Sequence, residues 1–129
     1  MIGVDTNVLV RFLVQDEPEQ GRRALALFTR MTVNDPGYVT TVVLAEAYWV
    51  LTRAYRLAPA DVLTALSELL DRDGVEIQDR EVVRQALALA STGAQFPDAM
   101  IAAHCAARGC HEVASFDRAA QAHLGFVAP

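Results

Sequence analysis

Short apolar runs alternate with longer amphipathic ones along this chain, and the alternation predicts its elements. Residues 1–4 form an apolar run ending at Asp5, which reads as a buried strand. Residues 8–14 have helical character, and Asp5 or Thr6 can cap that helix. Asp16-Glu17-Pro18-Glu19 opens a second helix, whose apolar positions Ala24, Leu25, Leu27, Phe28 and Met31 follow helical spacing. Asn34-Asp35-Pro36-Gly37 is a turn signal, which makes Asp35 a turn residue. Residues 38–41 predict a short strand, and 42–51 a helix that is apolar on every side except at Glu46. A further amphipathic helix starts at residues 58–61, with Val62, Leu63, Leu66, Leu69 and Leu70 inward, and ends at Asp71-Arg72-Asp73-Gly74. Residues 75–77 alternate as a strand does, and Asp79 caps a helix running through Leu89.

The stretch from Gln95 to Cys105 organises the rest. Pro97 fits the first position of a helix, where its missing N–H costs nothing. Asp98 then lies in the first turn, where the helix dipole favours an anion. Residues 99–107 are almost continuously apolar, which predicts a buried helix. No basic residue stands three or four positions from Asp98. Beyond Gly109, residues 112–116 predict a strand running into Asp117, followed by a short helix over 118–123 and an edge strand at Phe126-Val127. Short strands alternating with helices predict an α/β fold: three layers, α/β/α, around a mostly parallel sheet. In such sheets the site lies beyond the carboxyl ends of the strands. Asp5 and Asp117 both stand where a strand gives way to a helix, and Asp98 begins one. Taken alone, Asp5 reads as an N-cap. Glu46 caps nothing, and if buried without a partner it would be costly, unless it met a distant arginine or reached solvent.

Composition narrows the picture. The length predicts a single domain spanning residues 1–129, large enough for its own core. Asp5, Asp16, Glu46 and Asp61 interrupt every apolar stretch that might span a membrane, and the N-terminal residues lack the pattern of a signal peptide, so a cytoplasmic protein is expected. Cys105 and Cys110 are expected to be free thiols, with no C-x-x-C pair to suggest zinc or redox chemistry. The net charge of −5 argues against nucleic acid as a partner. Yet all eleven basic residues are arginine, and Arg11, Arg22, Arg23, Arg30, Arg53 and Arg56 fall in the first half, so a local basic rim around an acidic centre still fits.

Carboxylates gathered at one end of a sheet repel one another unless a cation intervenes. All-oxygen ligation suits Mg²⁺ or Mn²⁺, and the matching chemistry is metal-assisted hydrolysis of a phosphodiester. His104, His111 and His123 are expected at the surface rather than as ligands.

Met1-Ile2-Gly3-Val4-Asp5-Thr6-Asn7, the isolated Glu46, Phe96-Pro97-Asp98-Ala99-Met100-Ile101-Ala102-Ala103 and Ser115-Phe116-Asp117 resemble, in order and over essentially the whole chain, the four acidic motifs of PIN-domain nucleases. The resemblance is closest to the VapC toxins of type II toxin–antitoxin pairs. It implies Asp5, Glu46, Asp98 and Asp117 as metal-binding and catalytic acids, with Mg²⁺ or Mn²⁺ as cofactor. Asn7 and Ser115 are implied as supporting groups. It also implies cleavage of single-stranded RNA (often tRNA or rRNA), a homodimer, and inhibition by a VapB-like antitoxin through which alone DNA is contacted. Two other readings stay open: a PIN-domain RNA-processing nuclease outside any toxin–antitoxin pair, and a non-catalytic interaction module. Phosphatases and receiver domains that also carry Asp at strand ends use a lysine, and this chain has none.

Overall fold

Ile2 pairs with Gly37 and Gly3 with Tyr38, and Gly37, Tyr38 and Val39 pair in turn with Val75, Glu76 and Ile77. These contacts make a parallel sheet in the order β1 (Ile2–Gly3), β2 (Gly37–Val39), β3 (Val75–Ile77). The computed structural model describes all residues, 1–129, and they form two compact units, Met1–Arg80 and Glu81–Pro129.

The sheet belongs wholly to the first unit. Parallel strands need crossover connections, and helices supply them: α1 (Thr6–Val14) and α2 (Pro18–Arg30) join β1 to β2, while α3 (Thr41–Trp49) and α4 (Pro59–Leu70) join β2 to β3. Capping chemistry marks the helix starts, although α3 begins at Thr41, inside the stretch 38–41 that predicts a strand. Asp5 occupies the N-cap of α1, and Glu17 caps α2 by accepting the Gln20 N–H, with Pro18 in the first turn. Thr40 caps α3, its hydroxyl accepting the Val43 N–H at 3.2 Å. α1 packs on both α2 and α3, and the rings of Phe12 and Phe28 stack at 3.9 Å between centroids. Val62, Leu66, Leu69 and Leu70 form the buried stripe of α4, as predicted; full burial of each such side chain is worth roughly 1.5–3 kcal/mol. Gly74, before β3, has φ +80°, and a Cβ there would stand 2.6 Å from the Met31 carbonyl oxygen. Both its conformation and the close approach require glycine.

Two features of this unit depart from expectation. The helix of residues 42–51, apolar on every side except at Glu46, nonetheless leaves one side in solvent, where Val42 is 64% exposed and Glu46 is exposed beside it. α3 also runs on into a π-helical turn, Val50–Ala54, in which Tyr55 N–H donates to the Val50 carbonyl at 3.2 Å. The guanidinium of Arg53 lies 3.8 Å over the Trp49 ring.

The second unit contains α5 (Arg80–Ala90, from Glu81 onward), α6 (Phe96–Arg108) and α7 (Arg118–Leu124), with α6 packed against α7. Val83, Ala86, Leu87, Phe96, Ala99, Met100, Ala103 and Ala120 supply its core. The predicted burial of residues 99–107 holds for one face only: Ile101 is 48% exposed, and Ala106 and Ala107 are exposed. Alanine is apolar enough to read as core and small enough to cost little at a surface, and the run is mostly alanine. Pro97 takes the second helical position, after Phe96. The predicted strand at residues 112–116 is absent, as is the edge strand at Phe126-Val127. A single parallel bridge between Ala114 and Val127 stands in their place, and one bridge is too short a ladder to make a strand. Both cysteines are free, Cys105 half-buried and Cys110 exposed. No helix is long and apolar enough to cross a membrane.

Candidate functional site

The two units each present a pair of the acids singled out in the sequence. In the first, Asp5 follows the carboxyl end of β1 and is exposed. Its Oδ1 accepts only the N–H of the next residue, Thr6, at 2.9 Å, whereas an N-cap side chain ordinarily reaches the second or third N–H of its helix. The hydroxyl of Thr6 is buried and has no hydrogen-bond partner, a defect that costs about 1–3 kcal/mol. Asn7, exposed, stands one residue further along α1. Glu46 lies in the second turn of α3, exposed, with no hydrogen bond or ion pair. The distant arginine is therefore not its partner, and because solvent reaches the carboxylate, the penalty expected for a buried Glu46 does not arise.

The second unit holds the more informative pair. Asp117 is the N-cap of α7, and its Oδ1 accepts the N–H groups of Ala119 at 2.8 Å and Ala120 at 3.1 Å. The turn ahead of it is clasped twice. The Asp117 N–H donates to Ser115 Oγ at 3.0 Å, and the Gln121 side-chain amide donates to the Ser115 carbonyl at 2.7 Å. These bonds fix the Asp117 carboxylate and leave its Oδ2 without a partner. Asp98 is different: half-buried at the third position of α6, it has no hydrogen-bond donor and no ion pair. Burial pushes its carboxyl above the usual carboxylate range, and the negative charge of Asp117 pushes in the same direction. The two carboxylates are thus close enough to repel. No arginine or histidine pairs with either.

Within neither unit do three or more His, Cys, Asp or Glu side chains stand together as a ready-made cluster. His111 and His123 are exposed, as expected, and His104 is half-buried on α6. Thr6, read in the sequence as a possible cap, is instead the first residue of α1, with its hydroxyl buried. Nothing in a lone threonine after an aspartate signals that its hydroxyl will be buried and unanswered.

The family model for the PIN domain matches residues 2–126. A comparison with curated proteins finds no match. Among solved structures, the chain is similar to the crystal structure of Mycobacterium tuberculosis VapC20, described as a sarcin–ricin loop cleaving toxin. The likeness has 21% identity and a TM-score of 0.47, and it covers 100% of this chain and 98% of that one. The family match runs through all four acids and through both units, so the chain belongs to the PIN-domain family, with the α/β/α fold class that its alternating elements predict.

Proposed function

We propose that this chain is a divalent-metal-dependent endoribonuclease of the VapC kind, forming one PIN domain over residues 1–129, in which Asp5, Glu46, Asp98 and Asp117 act as a single acidic set. One observation carries the reading. Asp98 is a half-buried carboxylate with no donor, raised by burial and by a second carboxylate, Asp117. A structural acid has its partner built in, while a ligand waits for a cation.

The donor set fits Mg²⁺ or Mn²⁺: carboxylate oxygens only, with Asp117 already repelling Asp98 and no sulfur or imidazole among them. Asp98 and Asp117 would hold the ion together with Asp5 and Glu46. When bound, the ion supplies counter-charge to these carboxylates and makes water acidic enough to attack a phosphodiester at neutral pH. The chain's own residues prepare for this. The N–H groups of Ala119 and Ala120 hold Asp117 in one orientation and Ser115 locks the turn that carries it, while Asn7 is exposed two residues after Asp5. A single-stranded RNA substrate, tRNA or rRNA among them, a homodimer, a VapB-like antitoxin and a cytoplasmic location complete the proposal, supported by the likeness of the four motifs to VapC toxins.

The capping roles of Asp5 and Asp117 favour one competing reading, in which the acids only hold helix ends. Sequencing RNA ends after expressing the chain, beside an Asp5→Ala control, separates the two. New 5′ ends that appear with the chain and vanish with the control are expected. Identical RNA ends in both would overturn the proposal. A small DNA-binding protein encoded in an adjacent reading frame separates a toxin from an RNA-processing nuclease.

A further inference from the structure

A chain with a net charge of −5 repels a polyanion unless its few cations are gathered. One place gathers them. Between α1 and α2 lies a groove of about 410 Å³ whose lining includes Arg11, Arg23 and Arg30 and not one acid. Arg11 is anchored by Nε and Nη1, donating to Gln20 Oε1 at 2.8 Å, to Asp16 Oδ1 at 3.1 Å and to the Tyr55 hydroxyl at 2.9 Å. Arg23 and Arg30 are exposed and have no ion pair or hydrogen bond. Seven residues apart on α2, they stand on one face, separated by about 10.5 Å along the helix axis. The floor between them is apolar, with Leu27 half-buried. At α1 the groove is lined by Asn7, two residues from Asp5.

We infer that this groove is the footing for the RNA backbone, with Arg23 and Arg30 each taking a phosphate and Arg11 held rigid as part of the wall. The inference rests on the proposed ribonuclease activity and names the residues through which an acidic protein holds its acidic substrate. Free guanidinium forks suit phosphate oxygens, and the nearness of Asn7 to Asp5 makes the groove an approach to the first of the catalytic acids. An acidic protein segment is the other occupant that three arginines could attract.

The test is the double variant Arg23→Ala/Arg30→Ala in the full chain, with Arg22→Ala as control. Arg22 lies on the same helix, is exposed and does not line the groove. Cleavage of a mixed-sequence single-stranded oligoribonucleotide in Mg²⁺ is expected to show KM raised about tenfold or more, from two lost charge-assisted contacts, with kcat within about twofold. In the non-cleaving Asp98→Asn background, the slope of log K against log salt is expected to fall by about 1.4, or roughly 0.7 per phosphate on a single strand. Arg22→Ala should move neither quantity. An unmoved KM and slope, or an equal change in Arg22→Ala, overturns the inference. So does RNA binding that is unchanged while binding of a poly-glutamate peptide is lost, because the occupant is then protein. Absence of cleavage by the unmodified chain is a separate result, one that strikes the ribonuclease proposal itself.

Discussion

Asp117 and Asp98 belong to the same unit and feel each other's charge, but the chain treats them in opposite ways. Asp117 is exposed yet satisfied, with two backbone N–H groups on one oxygen and a double clasp on its turn. Asp98 is half-buried yet bare. Exposure alone would rank them the other way round, since solvent is the usual remedy for a carboxylate without donors. The difference shows that a carboxylate's role is set by what answers it. Asp117 both builds the fold and can serve chemistry, whereas Asp98 makes no hydrogen bond or ion pair within the fold.

That contrast can be tested at three scales. The largest effect concerns the cation. Mg²⁺ or Mn²⁺ at a hundred times its dissociation constant should stabilise the unmodified chain by about 2.7 kcal/mol, read as a rise in Tm. Asp98→Asn should abolish most of that rise. If both proteins gain equally, Asp98 is not a ligand and the contrast has been drawn wrongly. Next in size is the cap. Asp117→Ala should cost about 1 kcal/mol in urea denaturation of the metal-free protein, the usual worth of an N-cap, while Asp117→Asn keeps a capping oxygen and should cost much less. Equal losses would mean that the Ala119 and Ala120 bonds are not what holds the start of α7.

The smallest effect is a pH dependence. The Asp98 carboxyl is raised in the folded state, so over the range between its unfolded and folded pKa values the folded protein binds more protons than the unfolded one. Stability from this group is therefore greatest at acid pH and declines as pH rises through that range. Asp98→Asn should be more stable than the parent at neutral pH without metal, and the advantage should vanish as pH falls below the ordinary carboxylate range. An advantage that persists in acid, or a loss at neutral pH, would assign Asp98 a structural role after all.

Much of this was legible in the residues. Helix starts at Asp5, Glu17-Pro18 and Asp117 follow from capping chemistry, which is local and strong, so α1, α2 and α7 begin close to where the chain signals them. Thr40 and Thr41, read as the end of a strand, instead cap and open α3. The sheet's three strands were legible too, each bounded by glycine, proline or acid, although the first, read as buried, is exposed at Ile2 and Gly3. What failed depended on distant context. Glu112-Val113-Ala114-Ser115-Phe116 alternates like a strand but finds a single bridging partner, so its Phe116 is 88% exposed. The alanines after Met100 gave no sign of which face would meet solvent. For Glu46 the apolar neighbours left burial, a distant arginine and solvent all open, and solvent is the outcome, with Val42 on the same face exposed as well. For the site, residue types and order identified candidates, but only the structure separates the answered carboxylate from the unanswered one.

The widened turn after α3 has a consequence for how length changes would be tolerated. Each residue of a helix advances its neighbours by about 100°, and the π-helical stretch Val50–Ala54 sets the angle at which Tyr55 leaves it to meet Arg11. Removing a single residue there would only let the Tyr55-to-Val50 bond close an ordinary α-turn, with the phenol still aimed at its partner. Adding one would swing the phenol about a quarter-turn out of line, and the damage would surface more than forty positions upstream, as a loosened guanidinium in a wall that no insertion had touched.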